Sequence, residues 1–297
     1  MKVVQPMLDW WFKPLDAVQI RWFEVLLTTS FLYYISSYLP TATDWLSTTG
    51  FYLSAEATSA HYITPPERMP VHMVPWAVGA FYFVGGLLIL GQFRRFSAWA
   101  LFVSAVYIQA MDQPSSFTMN RLYIVYFLML GLMPSVQIIN GQKMISGWFI
   151  RFFQVTLLVQ YGVAGFCKGY TGDWLFKPMT VWTQSQGHYK NPLSAWAIHE
   201  LPDPIWWALW ASSYIFEAGA PLLFGWKRTR HYTVIFGVLF HFGIAALMKD
   251  LIFFSYQMVT SYVFFVDPKF IHRAEKWTKE KLGLLPSDDE TEPLASK

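Results

Sequence analysis

Apolar runs long enough to cross a bilayer recur through most of the chain, and no other feature restricts its fold as much. A hydrocarbon core about 30 Å thick takes roughly 20 residues of helix. Eight segments approach that length, near 18–39, 74–91, 96–112, 121–139, 148–168, 204–225, 231–249 and 251–267. Between the last two, "MKDLIFF" leaves almost no room for a turn, so this pair also reads as one broken or re-entrant hairpin. Only 14% of the 297 residues are charged, 54% are hydrophobic, and mean hydropathy is +0.30; a soluble domain carries about 25% charge. The expected fold is all-α: a polytopic transmembrane helix bundle of about eight spans whose solvent and main partner is the lipid bilayer.

Basic residues in the short loops orient such a bundle. Arg94 and Arg95, Lys143, Lys227 with Arg228 and Arg230, and Lys269 with Arg273 and Lys276 all fall on one side of the expected spans. That side is therefore expected to be cytoplasmic, with both termini on it, and the end of the fifth span faces outward. Residues 1–17, with Trp10, Trp11 and Phe12, read as an interfacial segment. Residues 18–270 form the membrane domain and 271–297 a cytoplasmic polar tail ending in "SDDETEPLASK", which has nothing to bury. On the outer face, segment 169–203 holds Trp174, Trp182 and Trp196 broken by prolines. This suggests short interfacial helices that can roof a cavity.

Charges at membrane depth each need a reason, because even the lenient insertion scale assigns them about 2.5–3.5 kcal/mol. In the fifth span Arg151, Gln154, Leu158, Tyr161, Gly165 and Lys168 fall within an arc of about 100° at helical spacing. That face is expected to look inward, with Gly162 and Gly165 allowing a neighbour or ligand to approach closely. Lys168 and Arg151 have an alternative as snorkelling residues at the span ends. Glu217 sits mid-span with Pro221 one turn later, and His241, midway along the next span, is its expected companion. A catalytic role and simple mutual satisfaction of two buried groups remain equally open for them. Arg21 and Glu24 read as an i, i+3 pair.

Other chemistries find little support. The one cysteine, Cys167, makes no internal disulfide, and scattered His61, His72, His188, His199 and His241 lack metal-ligand spacing, so no metal is expected. No phosphate loop, dinucleotide fingerprint or hydrolase elbow is present, nor is there a basic stripe for nucleic acid. A transporter is disfavoured by the lack of repeat symmetry.

The order of several segments resembles the horizontally transferred transmembrane domain (HTTM) family, to which the membrane part of vitamin K-dependent gamma-carboxylase belongs. The segments are "DAVQIRWFEVLL", "FRRFSAWALF", "MDQPSSFTMNRLYIVYFLML", "IRFFQVTLLVQYGVAGFCKGYTGDW", "FEAGAPLLF" and "LFHFGIAALMKDLIFFSYQM". The resemblance runs over residues 16–270. It implies a gamma-carboxylase-like, lyase-type enzyme in which Lys168, as a neutral base, deprotonates a reduced, vitamin K-like quinone. Lysine serves as a base only when neutral, a state that burial and a nearby cation favour; Arg121 is the expected cation. Glu217 and His241 complete the candidate catalytic set, and Asn120, Tyr161, Gly165 and Trp174 are the candidate cofactor-binding residues. Arg121 stands where the carboxylase has a histidine, and Cys167 where it has a second lysine. The second implied reading is a non-catalytic membrane partner for maturation or export of a small secreted peptide.

Overall fold

The structure is a computed structural model in which residues 4–50, 66–111, 118–170 and 174–284 are described. His61, Asp112, Asp173 and the tail from 287 to 297 lie outside these residues. Thirteen α-helices and one small antiparallel sheet order the described chain: α1 (Val4–Phe12), β1 (Leu15–Asp16), α2 (Val18–Ser36), α3 (Ala42–Leu46), α4 (Val74–Ile89), α5 (Arg94–Met111), α6 (Thr118–Gly131), β2 (Gln137–Ile139), β3 (Gln142–Ile145), α7 (Gly147–Tyr170), α8 (Thr180–Gln186), α9 (Pro192–Glu200), α10 (Asp203–Gly225), α11 (Lys227–Leu247), α12 (Leu251–Thr260) and α13 (Pro268–Lys281). The all-helical expectation therefore holds, apart from a three-stranded sheet of order β1-β3-β2.

By length and composition, three helical stretches among the described residues can cross a membrane: Val71–Ile89, Gly147–Tyr170 and Lys227–Leu247. Met119–Gly131 and Leu251–Phe265 are apolar but shorter. The outward faces are greasy. Trp76, Phe83 and Leu90 on or beside α4, Val159 and Phe166 on α7, Ile215 and Leu222 on α10, and Leu239 and Phe242 on α11 are all exposed. Helix faces of this kind suit contact with lipid or with another protein.

Helix ends follow local chemistry. Asn191 caps α9 in a capping box with Ser194, and Asp267 accepts the Lys269 N–H at the start of α13. Proline opens both helices at N1, where its missing N–H costs nothing. The fourth expected span is corrected: α6 stops at Gly131, and residues 137–145 form a hairpin. Its turn is Asn140-Gly141, both at positive φ, the dipeptide that the tightest hairpins favour. The expected boundary at residue 270 falls inside α13, which packs on α2 through a Trp22–Glu275 hydrogen bond of 2.7 Å and buried Ile271.

In the core, α2 packs on α4 and α12, α5 on α6, α7 on α10, and α11 on α12. Phe23, Tyr126, Phe153 and Phe264 meet ring to ring at its centre. The last expected span is broken, because α12 gives way to a 3₁₀ turn over Ser261–Phe265 that is buried in the bundle. Backbone carbonyls that leave the helical pattern at such depth need other donors. Gln19 donates to Val263 O at 3.1 Å and Val266 O at 2.8 Å, and Gln154 donates to Phe264 O at 2.7 Å. These two amides hold the end of the chain's last apolar element against α2 and α7.

Glu24, 1% exposed, is gripped by Arg94 through three hydrogen bonds of 2.7–3.0 Å and touches Arg21 at 3.4 Å. Arg21 also donates to Leu88 O at 3.0 Å and to Ile89 O, the carbonyls that end α4. The i, i+3 pair is thus the lesser half of a cluster joining α2, α4 and α5.

Candidate functional site

The expected inward face of α7 is inward. Gln154, Tyr161 and Gly165 are buried, while Val155, Val159, Val163 and Phe166 face out. Two polar groups lie along that face, about two helical turns apart.

The first group surrounds Lys168. Its Nζ lies 2.6 Å from Glu217 Oε2 on α10, 3.4 Å from the Ser213 hydroxyl, and 4.0 Å from the centroid of the Trp174 ring. The Lys168 side chain is 19% exposed and that of Glu217 13%, so both are largely withdrawn from the surface. Trp174 is fixed in turn, since its carbonyl accepts the Trp210 indole N–H at 2.8 Å. Gly165 makes this meeting possible: a Cβ there would stand 2.5 Å from Ala218 N and Cα. The bare Cα lets α7 pack directly against α10.

The second group is deeper. Tyr161 Oη meets His241 Nε2 on α11 at 2.7 Å and the Tyr262 hydroxyl of the 3₁₀ turn at 2.5 Å. A Cβ at Gly237 would lie 2.6 Å from that Tyr262 hydroxyl, so only glycine leaves room for it. His241 is 1% exposed among Phe240, Phe254 and the two tyrosines, and its Nδ1 meets no partner among the described residues. Phenol, imidazole and phenol can each donate and accept, so the chain can relay a proton.

The candidate residues therefore sort differently from their expected pairing. Glu217 pairs with Lys168, and His241 with Tyr161. Arg121 is exposed on α6 and joins neither group. Where a second cation was expected beside the lysine, a carboxylate stands.

A cavity of about 500 Å³ opens at the same end of the bundle, within the size range of small-molecule sites. Tyr34, Ser37 and Tyr38 of α2 and its extension, Met119 of α6, and Phe253 and Phe254 of α12 form its walls; His188, Tyr189 and Asp250 close it. Segment 169–203, expected to roof a cavity beside Lys168, contributes His188 and Tyr189 to the lining of this one instead, held by Lys249 N–H to Tyr189 O at 2.8 Å and Asn191 to Ala246 O at 2.9 Å. Asn120 stands behind the wall. Its amide donates to the Tyr34 hydroxyl at 2.9 Å while its Oδ1 is buried without a partner among the described residues. Lys168, Glu217, Tyr161, Gly165 and Trp174 are not among the lining residues; Phe254, which touches His241, stands between the cavity and the deeper group. Tyr34, Tyr38 and Phe254 carried no motif in the sequence, and only the convergence of α2, α6 and α12 brings them together. No group of three or more metal-ligating side chains occurs among the described residues.

Compared with known protein families, curated proteins and solved structures, the chain matches none.

Packing at Gly165 gives a direct check. Gly165→Leu is expected to lower stability by about 1–3 kcal/mol or more, because the obstruction is backbone and cannot yield as a side chain would. Gly162→Ala, whose nearest neighbour would be Pro221 Cγ at 3.3 Å, should be far milder. Thermal unfolding of both variants in detergent reads the difference, and equal losses would remove the close-approach account.

Proposed function

We propose that this chain is a multi-pass membrane protein, with α2, α4, α5, α7, α10 and α11 as its full passes, the shorter α6 and α12 packed among them and both termini cytoplasmic, that takes a reduced quinone or similar ring-bearing lipid into the cavity beneath His188 and Tyr189. The observation that carries the reading is the cavity itself: aromatic walls, a few hydroxyls and a buried unpartnered Asn120 Oδ1 behind them. An apolar enclosure with a few convergent polar groups suits such a molecule. Phe253 and Phe254 would lie against its ring, and Ser37, Tyr34 and Tyr38 would meet its oxygens. A quinol supplies exchangeable protons and reducing equivalents when bound. The chain's own contribution is to enclose and orient that ring; the hydrogen-bonded His241–Tyr161–Tyr262 group lies behind Phe254, which carries no exchangeable proton and keeps that group apart from the bound molecule.

A second reading rests on the Lys168–Glu217 contact. A lysine held by a carboxylate at 2.6 Å is well suited to clamping α7 to α10, which favours a non-catalytic membrane partner for a secreted peptide. Exposed Leu193 and Trp196 on the roof helix α9 offer such a partner a surface.

Mass spectrometry of lipid extracted from the purified protein separates the two. The first reading expects a polyprenyl quinone in stoichiometric amount, lost when Ser37→Trp fills the cavity. Repeated preparations that carry no quinone, but retain a peptide or soluble protein through purification, would establish the second reading instead.

A further inference from the structure

At the opposite end of the bundle, beside the small sheet, lies a larger cavity of about 920 Å³. Arg151 of α7 and Arg230 of α11 both line it, close enough for their charges to act on each other. Neither has an anionic partner within 4 Å among the described residues. Arg151 donates to the Gln154 side chain at 2.9 Å and stacks on Trp10 at 4.2 Å, and its buried Nε–H meets no acceptor among the described residues. Arg230 donates to the carbonyls of Phe224 at 2.9 Å and Gly225 at 3.4 Å, at the end of α10. Two half-buried guanidiniums held in place by neutral groups leave charge and donor capacity open to an anion entering the cleft.

Two carboxylates share the lining but are already engaged. Asp16 accepts the Val18 N–H at 2.9 Å and faces His272 at 2.8 Å, and Asp267 accepts the Lys269 N–H at 2.9 Å. Lys227 and His231 add further basic groups at the rim. From this polar floor the lining passes through Val234 and Ile235 onto the exposed apolar face of α11, where Leu239 and Phe242 stand clear of the protein. Interfacial α1, which carries Trp10, and exposed Phe270 border the same end. An anionic head in the cleft and a hydrocarbon tail along α11 would each meet the surface they need.

We propose that the cleft between Arg151 and Arg230 binds a phosphate-type anion, supplied as the headgroup of an anionic lipid from the adjoining leaflet. The planar guanidinium fork matches phosphate oxygens in pairs, and basic pockets between membrane helices hold lipid headgroups by the same chemistry. The inference rests on the membrane reading of the fold, and is independent of the quinone cavity.

The full chain in phosphatidylcholine nanodiscs, titrated with short-chain phosphatidic acid, short-chain phosphatidylcholine or inorganic phosphate and followed by native mass spectrometry, tests it. Phosphatidic acid is expected to bind, with the other two at least about tenfold weaker, and Arg151→Gln or Arg230→Gln to weaken it by about tenfold each. Lys227→Gln, an exposed rim change that breaks no contact in the fold, should weaken it a few-fold and serves if either arginine variant misfolds. Equal binding of the two lipids, or no loss in any properly folded variant, overturns the proposal. Inorganic phosphate binding as tightly as phosphatidic acid overturns the lipid source in favour of a free phosphate ligand. Carbonate washing of native membranes is read separately: release of the protein would defeat the membrane reading whatever the titrations gave.

Discussion

Glu24→Ala is expected to lower the stability of the protein by about 3–5 kcal/mol, the range found when one member of a buried ion pair is removed. Glu24 is 1% exposed and answers both Arg94 and Arg21, so its loss leaves two guanidiniums facing each other beside Leu88 and Met133. Arg94→Ala should cost nearly as much, for the converse reason. The double change Glu24→Leu with Arg94→Leu should recover much of the loss, because apolar groups of similar volume remove the desolvation problem together with the attraction. Denaturant or thermal unfolding in detergent measures all three. A loss below about 1 kcal/mol for Glu24→Ala, the value of a solvent-exposed pair, would mean that water reaches the cluster.

The second large effect belongs to Lys168 and Glu217. Lys168→Met strands the Glu217 carboxylate against α7 and is expected to cost about 3–5 kcal/mol, with Lys168→Met plus Glu217→Leu restoring most of it. Lys168→Arg separates structure from chemistry. It keeps a cation for Glu217 and should retain most of the stability, but arginine does not give up its proton near neutral pH. If the amine takes part in proton exchange, Lys168→Arg abolishes turnover of a bound quinol while unfolding is little changed. If the pair is only a clamp, function survives Lys168→Arg and falls with stability in Lys168→Met. A double-mutant cycle with no coupling between positions 168 and 217 would refute the ion pair itself.

How much of the site was readable from the sequence depends on whether its partners lie on one helix or several. The inward face of α7 was legible because Arg151, Gln154, Tyr161, Gly165 and Lys168 recur at the helical period, and periodicity reports facing directly. Across helices that information ends. Glu217 and His241 each had to find a partner, and nothing in the spacing of α10 or α11 says that Ala218 lies against Gly165, which places Glu217 beside Lys168 and leaves His241 to Tyr161. Arg121 looked like part of the site by its place in the chain, but the rotation of α6 turns it outward. The Asn140-Gly141 hairpin, by contrast, carried a local signal and was hidden only by the apolar run before it.

From the sequence alone came the helical class, the order of the apolar helices, the gathering of basic loops at one end and the polar face of α7, all of which follow from short-range spacing and from the cost of exposing backbone or charge to hydrocarbon. Only the tertiary structure decided that Arg94 rather than Arg21 is the main partner of Glu24, that Gln19 and Gln154 hold the broken end of α12, and that the aromatic cavity forms where α2, α6 and α12 converge. These are contacts between residues far apart in the chain, chosen by how the helices rotate and pack, and a linear pattern does not encode rotation.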